Sequence, residues 1–234
     1  MKNLILLFAW LFASATIASQ TTIESLLSPP FTTDLKSSVD GKTLAWVFNN
    51  KGSRNIYIAQ APQFDARQLT NYSGDDGVDL GNLQMTTDGK WIAFIRGNTT
   101  NSRGEAANPA QLQTSTERII YLATNSGDSL RKVGPGSYPR FSPNGKTMAF
   151  INKGDVWTVS LEDNKEPVKL FSARTGAGFL RWAPDGTRMA FISSRGDRAF
   201  AGIWDLKNRN ISYFDPSIDI DAETTGNLPL TRVS

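Results

Sequence analysis

The stretch PRFSPNGKTMAFINKGDVWTVSL, residues Pro139 to Leu161, contains the unit from which the chain is built. It reads as a short strand, an Asn144-Gly145 turn, an apolar strand, a second turn and a third strand carrying an aromatic residue. The same order recurs at Val39-Asp40-Gly41-Lys42, Thr87-Asp88-Gly89-Lys90 and Pro184-Asp185-Gly186-Thr187. Asp-Gly and Asn-Gly are read as two-residue hairpin turns, which need positive φ at both central positions, so these acidic and amide residues are structural and not catalytic.

Each turn is followed by a strand with a shared large-Ala-aromatic-aliphatic order. The four are Leu44-Ala45-Trp46-Val47-Phe48, Trp91-Ile92-Ala93-Phe94-Ile95, Met148-Ala149-Phe150-Ile151 and Met189-Ala190-Phe191-Ile192. Both faces are apolar, as expected of a strand covered on both sides. The next strands pair an aromatic with an aliphatic residue: Ile56-Tyr57-Ile58, Ile120-Tyr121-Leu122, Val156-Trp157-Thr158-Val159 and Ile203-Trp204-Asp205-Leu206. Shorter, more polar strands follow around Leu69, Val133, Val168 with Leu170, and Tyr213. The turn glycines 41, 89, 145 and 186 are 48, 56 and 41 residues apart. Four strands per repeat at roughly 40–50 residues is the signature of an all-β propeller.

The spacing predicts four four-stranded blades over about 32–72, 80–134, 137–172 and 178–215, with the start of a fifth at 227–234, an incomplete ring. The 56-residue step comes from a polar insertion, Gly97 to Glu117, between the second and third strands of blade two. Such a loop shares a face with the inter-blade connections Ser73 to Asp79 and Pro216 to Thr225, both rich in carboxylates, while the tight turns occupy the opposite face.

Composition narrows the chemistry. The 234-residue chain is 39% apolar and 20% charged, which is globular, and its net charge of +3 is scattered, which argues against a nucleic-acid partner. There is no cysteine, so disulfides, thiol nucleophiles and thiolate metal sites are excluded. There is no histidine, so neither a Ser-His-Asp triad nor a His-ligated metal can form within the chain. No catalytic, cofactor-binding or metal residue is assigned, and no cofactor is expected.

Lys2 precedes an apolar run, Leu4 to Ala13, too short to span a bilayer, and small residues follow at Ser14, Ala15, Ala18 and Ser19. Residues 1–19 are therefore expected to be a signal peptide, with cleavage after Ala15 or Ala18, leaving 20–234 as an exported protein, periplasmic or secreted, without a membrane partner. Thr21 to Leu27 is expected to form one helical turn that Pro29 and Pro30 stop.

Several short motifs read as structure. Gly127-Asp128-Ser129-Leu130 spells a hydrolase block, yet it falls in a turn with no histidine to activate the serine. Arg195-Gly196-Asp197 is a turn after an inner strand. Asp75, Asp76 and Asp79, and separately Asp215, Asp219, Asp221 and Glu223, do not match the EF-hand pattern and are expected to be solvated inter-blade loops. Asn71, Asn98 and Asn210 open glycosylation sequons.

Phe141-Ser142-Pro143-Asn144-Gly145-Lys146 and Trp182-Ala183-Pro184-Asp185-Gly186-Thr187 resemble the repeats of TolB-like and dipeptidyl-peptidase-like propellers. Leu26 to Phe48, Ile92 to Gly97 followed by Asn108-Pro109-Ala110, and Phe191 to Asp197 are similar, in order, to the amino-terminal half of secreted prolyl-oligopeptidase (S9) serine peptidases. That resemblance implies a propeller that gates and contacts peptide substrate while a carboxyl-terminal α/β-hydrolase domain, missing from this chain, supplies the Ser, Asp and His. The chain has no Gly-x-Ser-x-Gly elbow, so no catalytic residue carries over. A free-standing periplasmic TolB-like scaffold for protein–protein interaction is the alternative.

Overall fold

The computed structural model describes Thr22, Ile23, Leu26 and residues 30–214, apart from 102, 104, 109–112, 114, 115, 196 and 197. The expected signal peptide and the expected fifth blade lie outside the described residues. Leu26 N–H donates to the Thr22 carbonyl at 3.2 Å, consistent with one helical turn there.

Sixteen strands among the described residues form four antiparallel four-stranded sheets, the blades of a β-propeller. Blade 1 holds β1 (Phe31–Ser37), β2 (Thr43–Asn50), β3 (Ser53–Gln60) and β4 (Arg67–Gln68). Blade 2 holds β5 (Leu80–Met85), β6 (Trp91–Arg96), β7 (Ile119–Thr124) and β8 (Leu130–Pro135). Blade 3 holds β9 (Ser137–Phe141), β10 (Thr147–Asn152), β11 (Asp155–Ser160) and β12 (Val168–Ser172). Blade 4 holds β13 (Gly178–Trp182), β14 (Arg188–Arg195), β15 (Arg198–Asp205) and β16 (Asn210–Tyr213). Strands pair in chain order within each blade, and the first strands β1, β5, β9 and β13 lie side by side at the inner edge.

The second strands of blades 2 and 3 are apolar on both faces because each of these blades is sandwiched between two others. Ile92 and Phe94 of β6 pack with Ala45, Val47, Ile56 and Ile58 of blade 1, while Ala93 and Ile95 pack with Met148 and Phe150 of blade 3. The third core joins Ala149, Ile151 and Phe171 to Met189, Phe191 and Trp204. Each such large side chain, fully buried, contributes about 1.5–3 kcal/mol. On the face of blade 1 away from blade 2, Leu44, Trp46 and Phe48 are only half-buried.

The Asx-Gly turns differ from the sequence expectation. Only the glycine is left-handed, with φ between +66° and +72° at Gly41, Gly89, Gly145 and Gly186. Each glycine N–H donates to the carbonyl three residues back, at Ser38, Thr86, Ser142 and Ala183, at 2.9–3.0 Å. The loops are thus four-residue turns ending in a left-handed glycine, not two-residue turns. In three of the four turns a buried hydroxyl braces this geometry. Ser38, Thr86 and Ser142 donate to the Asx carboxyl or amide oxygen at 2.6, 2.6 and 2.7 Å and accept the N–H of Thr43, Trp91 and Thr147 at 2.9, 3.0 and 3.1 Å. Blade 4 has Ala183 at this position, and the Thr187 hydroxyl takes over the bond to Asp185 at 2.9 Å. Left-handed φ at two successive residues occurs instead at Lys51-Gly52 and Lys153-Gly154, the β2–β3 and β10–β11 turns.

A second feature recurs at the inner edge. Asp34, Asn82, Tyr138 and Phe179 each adopt φ of 52° to 56°, seven residues before the turn glycine, and each sits at a break in register with the second strand. A β-bulge therefore marks every inner strand, and it re-aims the side chain at that point.

Candidate functional site

The antiparallel topology sorts the connections onto two faces. One face carries the four Asx-Gly turns and the third-to-fourth-strand turns; the other carries the second-to-third-strand connections and the inter-blade crossings. The Gly97–Glu117 insertion runs from β6 to β7 and so lies on the second face, beside the connection that enters blade 2.

That connection is held by charge and by two asparagines. Asp75 stands 3.5 Å from Arg54, and Asp76 pairs with Arg96, whose guanidinium also lies 4.4 Å from the Tyr72 ring centroid. Burial, with the neighbouring Tyr121, pushes the Tyr72 phenol up despite the opposing charge of Arg96. Buried Asn55 accepts from the Tyr72 N–H at 2.7 Å and from the Thr70 hydroxyl at 3.0 Å, and donates to the Tyr72 carbonyl at 2.9 Å. Asn98, also buried, accepts the Asp79 N–H at 2.7 Å and donates to Gly77 and Ala107 carbonyls at 3.2 and 3.0 Å. Its sequon is consequently an internal clamp between the insertion and the connection. Within the insertion, Asn101 bonds Glu105 through both backbone and side chain, at 2.9 and 2.8 Å, and Thr100 bridges Ala106.

Beneath this clamp is an open groove of about 400 Å³ between blades 2 and 3. Asn98, Thr116, Glu117, Arg118, Ser137 and Lys153 give it polar walls, with Pro135 and Ile151 as apolar patches. The Thr116 Oγ1 and Arg118 Nε atoms are buried behind its wall, without a hydrogen-bond partner among the described residues. The groove can hold a polar ligand by hydrogen bonds and charge, and the chain has no imidazole or thiol to place beside it.

The motifs singled out in the sequence fall elsewhere. Ser129 lies in the β7–β8 turn, on the face opposite the groove, and its N–H donates to Thr124 Oγ1 at 3.1 Å. Arg195 ends β14, while Gly196 and Asp197 lie outside the described residues. Asp75 and Asp76 accept from the N–H groups of Gly77 and Val78 at 3.1 and 3.0 Å, and Asp79 sits under Asn98. Among the described residues no group of three or more His, Cys, Asp or Glu could hold a metal ion. Asp215, Asp219, Asp221 and Glu223 lie outside the described residues. No helix among the described residues is long and apolar enough to cross a membrane.

No protein-family model matches the chain. A curated relative, a Protein TolB homolog of Chlorobium luteolum, is 26% identical over 163 residues, covering 68% of this chain and 33% of the relative. Among solved structures, TolB from Acinetobacter baumannii superposes with a TM-score of 0.54 at 18% identity, covering 83% of this chain and 45% of that one. A structure from a study of two prolyl endopeptidases gives 0.59 at 14% identity, covering 81% and 30%. The chain thus spans about a third of the curated relative's length and less than half of either solved chain. Four four-stranded blades, together with these likenesses, identify the described residues as a β-propeller, similar in fold to TolB.

Proposed function

We propose that the chain is the non-catalytic propeller portion of an exported S9-type serine peptidase, gating and contacting peptide substrate while an α/β-hydrolase domain supplies the chemistry. The observation that carries the reading is the groove itself: it presents polar walls on the loop-bearing face, in a chain without histidine or cysteine. The ordered run of S9-like segments, from Leu26 to Asp197, supports the peptidase assignment. The likeness to a prolyl endopeptidase structure is compatible with it at the level of fold. The groove lies on the loop-bearing face, where a peptide entering or leaving the ring would meet it.

A second reading is favoured by a separate observation, the 26% identity to a TolB homolog. In it the same face docks another protein and no hydrolase domain is involved. The coding sequence beyond the Ser234 codon separates the two. A hydrolase domain with a Gly-x-Ser-x-Gly elbow supports the peptidase reading; further blades followed by a stop codon overturn it in favour of the scaffold.

A further inference from the structure

The inner wall between blades 3 and 4 differs from the wall between blades 1 and 2 in one respect that has chemical consequences. The bulge residues Asp34, Asn82, Tyr138 and Phe179 are each followed two positions later by Lys36, Gln84, Arg140 and Arg181. In blade 1 the cation is neutralised locally: Asp34 lies 3.3 Å from Lys36, and its second oxygen accepts the Leu83 N–H of blade 2 at 2.7 Å. In blades 3 and 4 aromatics replace the carboxylate, and neither Arg140 nor Arg181 has an ion-pair partner among the described residues.

Arg140 is half-buried there. Its Nε donates to the Leu180 carbonyl at 3.2 Å and its Nη1 to the Pro139 carbonyl at 3.0 Å, leaving other guanidinium donors unused. Leu180 immediately precedes the exposed Arg181, so two cations share one wall. Burial, and then the like charge of Arg181, weaken the hold of Arg140 on its proton. Such a pair calls for an anion. Beside it the Tyr138 and Phe179 rings meet with centroids 5.2 Å apart, and Phe179 is 49% exposed. A bulky residue at positive φ is a genuine outlier for which an aromatic is poorly suited, and here two of them present an apolar shelf.

We propose that this wall binds a carboxylate carried on an apolar group, the chemistry of a peptide C-terminus ending in an aromatic or aliphatic residue. Arg140 and Arg181 take the carboxylate, and the Tyr138–Phe179 pair takes the side chain. The assignment rests on the residues of this wall and not on the peptidase reading.

Isothermal titration of the full chain with N-acetyl-phenylalanine, its uncharged amide, sodium acetate and inorganic phosphate tests it. The acid binds at one site, and the amide at least about tenfold more weakly, because it lacks the charge-assisted bonds. Arg181→Gln causes the same loss with an unchanged melting temperature, since the exposed Arg181 side chain makes no hydrogen bond or ion pair among the described residues. Phe179→Asn weakens the acid several-fold but keeps the preference for acid over amide. Equal binding of acid and amide, phosphate binding as tight as the acid, no binding of the acid at millimolar concentration, or an Arg181→Gln variant that binds normally would each overturn the assignment.

Discussion

Thr86→Val removes one hydroxyl from the β5–β6 turn while keeping the side-chain volume, and so isolates what that hydroxyl contributes. Thr86 is buried, donates to Asp88 at 2.6 Å and accepts the Trp91 N–H at 3.0 Å. The valine leaves the Trp91 N–H without that acceptor, at about 1–3 kcal/mol, while the exposed Asp88 regains water; the sum is about 2 kcal/mol. Urea unfolding should show this as a lower midpoint with an unchanged slope. The Thr86 hydroxyl first, and the Lys90 N–H second, hold the Asp88 carboxyl below its usual range. The folded pKa lies below the unfolded one, so this stabilisation is present above the unfolded value near 3.9 and is lost as pH falls through the folded one. In the valine variant that acid-side loss shrinks. Adding Lys90→Thr imports the arrangement at Thr187 in blade 4 and should recover the Asp88 bond but not the partner of the Trp91 N–H. A change below about 0.5 kcal/mol in Thr86→Val, or an unaltered acid limb, would refute the claim that this hydroxyl organises the turn.

Gly202→Ala places a methyl 2.4 Å from Cζ of its cross-strand partner Phe191, which is buried against Phe171, so stability should fall by about 1–3 kcal/mol and Phe191→Leu in the same background should restore part of it by thermal unfolding. Phe94→Ala empties the core between blades 1 and 2 and should cost about 3–5 kcal/mol in urea. Asn98→Ala frees three hydrogen-bonding groups at once and should speed hydrogen exchange and proteolysis within residues 97–118 before it affects blade 4.

The blades were legible because inter-blade packing forces the large-Ala-aromatic-aliphatic pattern on every second strand: Phe94, Phe150 and Phe191 occupy equivalent positions and all are buried. The Asx-Gly turns were legible as turns but not by type. The dipeptide serves two-residue and four-residue loops alike; in blades 1 to 3 the Ser or Thr two positions earlier binds the Asx oxygen, while blade 4 makes the same turn with Ala183 there and Thr187 bonding Asp185. The Lys51-Gly52 and Lys153-Gly154 turns, the true sites of paired positive φ, carry a lysine that gives little turn signal. The inner-strand bulges left a trace at Asp34 and Asn82, residue types that tolerate left-handed φ, but Tyr138 and Phe179 conceal the position. The groove was not legible because residues 98, 100, 106, 116–118, 135–137, 151 and 153 meet only once blades 2 and 3 stack. That it has no histidine was already plain from composition.

The central claim is that this propeller is the wall of a peptidase whose nucleophile lies outside residues 1–234. Native protein captured with an antibody against residues 30–214 should react with a fluorophosphonate, with the labelled serine mapping beyond Ser234, whereas the isolated 234-residue chain should neither label nor cleave chromogenic dipeptides. Labelling of a serine within the chain, or a native product of longer sequence that carries no reactive serine, would contradict the account.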